Sequence, residues 1–271
     1  MEIAVLFGSM FVLMFLSVPI GIVLGASVII TLLYTGTIPL LMVAQNAFAA
    51  LDSFPLLAIP FFILAGSLMG YGGISRRLVM LAEALIGAIT GGLAMVTITA
   101  CMFFAAISGS APATVSAIGS FMIPAMKEKR YDEDFAAALT AIAGSIGAII
   151  PPSIPFVLYG VISGASIGEL FISGIVPGIL VGIALMIVSY FIAKKRNWMV
   201  STERIPLLQA LRESIWALFV PIIILGGIYG GIFTPTEAAV VASVYALVIG
   251  KFVYKELDFK VMYEAFKEAS L

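Results

Sequence analysis

No histidine occurs anywhere in the 271 residues. The commonest metal ligand and the commonest general base are therefore missing. The single cysteine, Cys101, lies inside an apolar run and has no partner for an intramolecular disulfide, so cysteine usage leaves the redox compartment open. Charge is scarce: Asp, Glu, Lys and Arg make up 11% of the chain, against about 25% in soluble domains. The net charge of −1 offers no basic surface for nucleic acid. Met1-Glu2 carries no positive n-region, so the start does not read as a cleaved signal peptide, and the first apolar span is expected to remain in the mature protein.

What is present is hydrophobic sequence, 62% of the residues, in long uncharged runs. No charge falls between Ile3 and Leu51, Ala84 and Met126, Phe135 and Gly168, or Leu170 and Ala193. A helix needs about 20 apolar residues to cross the hydrocarbon core. A soluble core has no use for runs of this length, which makes the chain an all-α, multi-pass membrane protein. The expected spans are 3–17, 19–34, 55–72, a paired segment 91–126, 135–168, 170–193, 214–233 and 236–252. Two stretches read as interfacial, 197–213 and 258–271. In the second, Phe259, Met262 and Phe266 share a helical face opposite Lys260, Glu264 and Lys267.

Basic clusters at Arg76-Arg77, Lys127 to Arg130, Lys194 to Arg196, Arg204 with Arg212, and Lys251 with Lys255 set the topology. Loops rich in Lys and Arg stay cytoplasmic, which places the N-terminus outside. Segments 135–193 and 214–250 then each cross out and back, turning near Glu169 and near Thr234 to Glu237. The interval 78–126 has two apolar arms joined at Ser108-Gly109-Ser110-Ala111-Pro112. Two crossings and a re-entrant hairpin fit its charges equally.

A weak internal repeat pairs Pro19 and Ala26-Ser27-Val28 with Pro235 and Ala242-Ser243-Val244, at one offset of 216 residues. The topology puts the two prolines near opposite membrane faces, the pattern of inverted-repeat transporters, and two such copies would need more than about 400 residues. The expected organisation is a first repeat over 1–196, an interfacial connector over 197–213, and the start of an incomplete second repeat over 214–271.

Two breaks interrupt this apolar sequence. One is Ser108-Gly109-Ser110-Ala111-Pro112. The other is Ser145-Ile146-Gly147 followed by Pro151-Pro152-Ser153-Ile154-Pro155. Three prolines in five residues cannot continue a helix, because each lacks its N–H and clashes with the preceding turn. Ser110 lies 17 residues before Lys127 and Pro151 lies 17 residues after Asp134. At about 1.5 Å per residue both breaks sit roughly 25 Å from one anchor level, so they are able to meet. Broken backbone inside a bilayer must be buried in protein or line a wet cavity. There, freed carbonyls and serine hydroxyls suit a hard cation such as sodium, and helix N-termini suit an anionic group. The plain alternative is a pair of proline kinks without a ligand.

Other polar residues read as structural. Glu237 and Asp52 are expected near an outer interface, Glu169 in a solvated turn, and Trp198 and Trp216 as interface anchors. Ala136, Ala137, Ala138, Ala141 and Gly144 read as a close-packing stripe.

Four motifs carry a resemblance. They are Leu51-Asp52-Ser53-Phe54-Pro55-Leu56-Leu57-Ala58-Ile59-Pro60-Phe61-Phe62, Ala106-Ile107-Ser108-Gly109-Ser110, Ile149-Ile150-Pro151-Pro152-Ser153-Ile154-Pro155, and Gly230-Gly231-Ile232-Phe233-Thr234-Pro235-Thr236-Glu237-Ala238-Ala239. With them the chain resembles, over essentially its whole length, the DctM-like large membrane subunit of tripartite ATP-independent periplasmic (TRAP) transporters. The resemblance implies an elevator-type fold of two inverted repeats, each with a re-entrant helical hairpin, in a bacterial or archaeal inner membrane. It puts Ser108, Gly109 and Ser110 at the first hairpin tip, and Ser145, Gly147, Pro151, Pro152 and Ser153 at the discontinuous helix, as cation and substrate site. It also implies sodium as coupling ion, no cofactor, a small four-helix membrane subunit and a periplasmic substrate-binding protein as partners. The second hairpin would lie beyond Leu271.

The reading is cation-coupled uptake of a small organic acid: a dicarboxylate, a sugar acid such as sialic acid, or a keto acid. A dicarboxylate or citrate symporter without a binding protein is the nearest rival. A channel would need a ring of carboxylates or carbonyls. An intramembrane hydrolase would need paired aspartates, a Ser/His or Ser/Lys pair, or a metal site, and the deep apolar spans contain no Asp, His or Lys.

Overall fold

The computed structural model describes residues 1–36, 39–198 and 206–270, and every regular element among them is helical. The chain divides into two compact units, Met1–Ser53 and Phe54–Leu271.

The first unit holds α1 (Glu2–Phe15), α2 (Ile20–Thr35) and α3 (Leu41–Leu51). α1 and α2 pack on one another and follow the expected spans closely. They are 14 and 16 residues long, shorter than the roughly 20 needed for a full crossing. α1 buries none of its residues, and Ile3, Phe7, Phe11 and Phe15 are all exposed. α3 was not expected from the sequence, because Gln45 and Asn46 interrupt its eleven residues.

The second unit holds a 3-10 turn (Phe54–Leu57) leading into α4 (Ala58–Tyr71), then α5 (Ile74–Ile86), α6 (Gly92–Ser108), α7 (Ala111–Glu128), α8 (Glu133–Ser145), α9 (Ile154–Ser163), α10 (Ile167–Arg196), α11 (Leu207–Tyr229), α12 (Pro235–Val248, continued by a π turn over Ile249–Val253) and α13 (Phe259–Ser270). Among the described residues four stretches are long and apolar enough to cross a membrane: Phe54–Tyr71, Ile167–Arg196, Leu207–Tyr229 and Pro235–Val253.

Several expectations are corrected. α5 escapes a search for uncharged runs because it is amphipathic: Ile74, Ser75, Leu78, Leu81 and Ala82 are buried while Arg76 and Glu83 share the helix. Glu169 is not in a turn. It sits in the first turn of α10, where the Glu169 N–H donates to the Ser166 hydroxyl cap at 3.4 Å. Within the connector 197–213, residues 207–213 are the opening turns of α11, and 199–205 lie outside the described residues. Trp198 is no interface anchor: it is buried, its ring stacks on Tyr131 at 4.3 Å and it lies 4.7 Å from Phe135. α13 turns Val261, Met262 and Ala265 inward and packs on α4, leaving Phe259, Tyr263 and Phe266 exposed. Of the alanine stripe, Ala136 and Gly144 are buried while Ala137, Ala138 and Ala141 are exposed. A side chain at Gly144 would collide with Val115 of α7, so the close packing rests on that edge of α8.

Lipid tails are as apolar as leucine, so helices in a bilayer are held by close packing and by polar contacts. Arg77 provides a dense polar set away from the breaks. Its guanidinium is 2.7 Å from the Glu256 carboxylate, donates to the Gly73 carbonyl at 2.9 Å and lies 3.6 Å from the centre of the Tyr254 ring. The Ser214 hydroxyl donates to the Arg77 carbonyl at 2.8 Å, and the Tyr254 hydroxyl to the Glu213 carbonyl at 3.1 Å. α5, α11 and the stretch after α12 are thereby tied together. Arg77→Ala is expected to destabilise the fold by about 1–2 kcal/mol, given one stacked cation and one partly exposed ion pair. Thermal unfolding in detergent checks this, with Arg77→Lys expected to recover only part of the loss because an ammonium lacks the planar fork.

Candidate functional site

Both breaks are built on the same local sequence. Ser110-Ala111-Pro112 opens α7 and Ser153-Ile154-Pro155 opens α9. In each, the serine is extended (φ −130°, ψ 124° and φ −131°, ψ 121°) and accepts at 3.4 Å from the N–H three residues on, Ala113 or Phe156. Serine favours the N-cap because its oxygen replaces an acceptor that the first turn lacks, and proline in the first turn has no N–H to lose. On the other side, α6 ends at Ser108 with Gly109 in the left-handed region at φ 64°, and α8 ends at Ser145 in a 3-10 turn, Ile146–Ala148.

The two breaks meet. The Ile154 N–H donates to the Gly109 carbonyl at 3.0 Å. A Cβ on Gly109 would lie 2.6 Å from the Pro152 oxygen, and one on Gly147 would lie 2.5 Å from the Thr114 hydroxyl and 2.8 Å from the Ser110 carbonyl. Both glycines are there because backbone passes backbone at contact distance. α10 closes the far side of the break: side chains at Gly174 and Gly178 would strike the Ile149 carbonyl and the Ile150 side chain.

A buried oxygen cluster lies at the junction. The Thr114 hydroxyl donates to the Ser110 carbonyl at 2.8 Å and is 3.1 Å from the Ser108 hydroxyl. The Ser110 N–H donates to the Ser108 hydroxyl at 3.4 Å. Ser108, Thr114 and Ser153 are fully buried. The Ser153 hydroxyl donates to the Ala148 carbonyl at 2.6 Å, bridging the gap between α8 and α9. The cluster is all hydroxyl and carbonyl oxygen, with no titratable side chain among it, so it offers lone pairs to a hard cation and nothing to a proton-transfer step.

Of the residues singled out from sequence, Ser108, Gly109, Ser110, Gly147, Pro152 and Ser153 converge here. Pro151 is buried beside them, in a cis bond with Pro152. Ser145 stands apart: it is exposed and its hydroxyl donates to the Ile142 carbonyl of its own helix at 2.7 Å. The N-terminus of α9 is poorer in free donors than expected. Ile154 is bonded to Gly109, Pro155 has no N–H, Phe156 bonds the Ser153 hydroxyl and Val157 the Ser153 carbonyl. Sequence reasoning missed Thr114. The available signal was its position four residues after Ser110, on the face of α7 that otherwise holds Ile118, Gly119, Met122 and Met126. Glu237 has a structural partner: with Thr234 it forms a reciprocal cap of α12, accepting at 2.8 Å from the Thr234 N–H.

Helix breaks satisfied by protein, within a bundle of long apolar helices, define a multi-pass helical membrane protein built around paired interruptions. The chain belongs to the family described as the tripartite ATP-independent periplasmic transporter, DctM component, which matches residues 7–270. It is 54% identical over 269 residues to the isethionate TRAP transporter permease protein DctMQ of Oleidesulfovibrio alaskensis, covering 98% of this chain and 42% of that protein. It is 45% identical over 266 residues to the C4-dicarboxylate TRAP transporter large permease protein DctM of Vibrio cholerae, covering 95% and 57%. The sialic acid TRAP transporter permease protein SiaT of Haemophilus influenzae is 43% identical over 263 residues, covering 95% and 42%. The chain thus spans about half the length of these curated relatives.

Proposed function

We propose that this chain supplies the first ion and substrate half-site of a secondary transporter that takes up a small organic acid with sodium across a bacterial inner membrane. The carrying observation is the junction of the two breaks, where the Gly109 carbonyl accepts from Ile154 beside the Ser108, Ser110 and Thr114 oxygens. Oxygens fixed by backbone at a helix interruption are how sodium-coupled carriers hold their ion. The names of the relatives, spanning isethionate, C4-dicarboxylates and sialic acid, support an organic acid as cargo. Family membership supports work with a binding protein and a small membrane subunit, and movement of the hairpin and broken helix together as an elevator. On this reading residues 1–196 form the first inverted repeat and 214–271 the start of the second, and the N-terminus is periplasmic.

The test is substrate uptake into proteoliposomes containing the full-length permease, the small subunit and the loaded binding protein, with an imposed sodium gradient against a potassium control. Uptake that requires both sodium and the binding protein supports the reading; uptake indifferent to sodium removes the ion site. In the same assay Ser108→Ala, which removes the buried hydroxyl 3.1 Å from that of Thr114, is expected to raise the sodium concentration for half-maximal uptake by about tenfold or more, the scale of one hydrogen-bonding group lost from a charged ligand. Glu237→Ala, which removes a cap worth about 1 kcal/mol, should leave sodium dependence in place. Equal losses from both at equal expression would refute the location of the site.

A further inference from the structure

α7 is polar on the side where a lipid-facing helix would be apolar. Its inward face is Thr114, Ile118, Gly119, Met122 and Met126, while Pro112, Ser116, Ser120 and Pro124, four residues apart, form an exposed stripe. α10 shows the opposite pattern: Ile172, Val176, Ile179, Ile183, Val188 and Phe191 are exposed, the surface that hydrocarbon requires. The Ser120 hydroxyl donates back to the Ala117 carbonyl at 3.1 Å, which leaves its lone pairs, with the Ser116 hydroxyl, to face that side of α7.

A cavity of about 240 Å³ occupies that side, walled by Ser116 and Ser120 of α7, Gly66 and Ser67 of α4, and Glu268 of α13. That volume holds several waters at about 30 Å³ each. It lies beside the candidate site, separated from it by one layer of packed atoms. Ala113, one turn from the Ser110 cap, lines it, and a Cβ on its wall residue Gly66 would lie 3.2 Å from the Ser108 Cβ. At its other end Phe121 is shared with a second cavity of about 520 Å³, which reaches Lys129 at the basic end of the hairpin. Four carboxylates and three cationic side chains line that outer cavity. Its net charge gives an arriving anion no trap, which suits release better than capture.

We propose that this groove along α7 is the aqueous route between the hairpin tip and the basic end of the hairpin, and that Ser67, Ser116 and Ser120 are the hydroxyls that meet the carboxylate of the organic acid in passage. The proposal rests on the transport reading above and adds residues that reading does not use.

The experiment uses the full-length permease with its partner subunits in proteoliposomes, in a background carrying Cys101→Ala and no other cysteine. Ser116→Cys and Ser120→Cys are compared with Ile183→Cys on the exposed apolar face of α10, using the membrane-impermeant anion 2-sulfonatoethyl methanethiosulfonate as probe. The thiolate is the reactive form and apolar surroundings suppress it, so the two groove variants should react at least about tenfold faster than the α10 control. Saturating substrate with sodium should slow that reaction, and modification should block uptake. Reaction no faster than at position 183, in variants that still transport, would overturn the aqueous route while leaving the transport reading intact. Fast reaction that substrate does not slow would show a wet groove off the path and would also overturn the proposal. If uptake before labelling is indifferent to sodium while substrate still slows the reaction, the coupling ion is wrong and the route stands. Two independent groove positions guard against one variant that fails to fold.

Discussion

Gly109→Ala is expected to reduce transport to a few percent or less of the unmodified protein, and Gly164→Ala to leave most of it. Both glycines are left-handed, at φ 64° and φ 75°, and alanine there costs about 1–2 kcal/mol. They differ in what surrounds them. A Cβ at Gly164 meets nothing within 4 Å, whereas one at Gly109 lies 2.6 Å from the Pro152 oxygen and 3.1 Å from its carbonyl carbon. Neither atom is the end of a flexible side chain, so the hairpin tip must draw back from the break. Overpacking of this kind adds about 1–3 kcal/mol. Together the terms reach about 2–5 kcal/mol, a factor of roughly 30 to several thousand in the population of the joined state. Sodium-driven uptake, normalised to protein in the membrane, measures both variants. Full uptake by Gly109→Ala would mean that tip and break do not need to touch for transport.

Thr114→Val is expected to raise the sodium requirement by tenfold to a hundredfold, with Thr114→Ser close to unmodified protein. Valine keeps the shape but removes the hydroxyl that donates to the Ser110 carbonyl at 2.8 Å and sits 3.1 Å from the Ser108 hydroxyl. Leaving such buried groups without a partner costs about 1–3 kcal/mol each. The loss falls on the arrangement that fixes the Ser108 and Ser110 oxygens, so the half-saturating sodium concentration should move more than the maximal rate. Serine restores the hydroxyl at the same position and should restore the affinity. If valine and serine behave alike, Thr114 acts by volume, and the oxygen cluster is packing rather than ligand geometry.

The two breaks are legible in the sequence itself. Ser110-Ala111-Pro112 and Ser153-Ile154-Pro155 announce themselves because proline removes a donor and serine supplies an acceptor, effects confined to one turn of chain. The amphipathic α5 was not readable by the same route: a search for uncharged runs passes over a helix that carries Arg76, Arg77 and Glu83, although its buried set Ile74, Leu78, Leu81 and Ala82 is helical in spacing. The packing of Trp198 is hidden from the sequence for a related reason. Tryptophan near a basic cluster is characteristic of an interface, and only the position of Tyr131 and Phe135 turns it into a packed ring.

The sequence alone determined that this is a multi-pass helical membrane protein, where its helices break, and that serine and glycine stand at both breaks. These follow from interactions within a turn or two of chain and from the cost of placing charge in hydrocarbon. Tertiary structure decided which of those residues act together. It joined Gly109 to Ile154, brought Gly147 against Thr114 and Ser110, added Thr114 to the cluster, and turned Ser145 away from it. The physical reason is that a helix break specifies only its own unsatisfied groups. Which partner satisfies them depends on which helices the small residues of α8 and α10 allow to approach, and that is a property of the packed bundle.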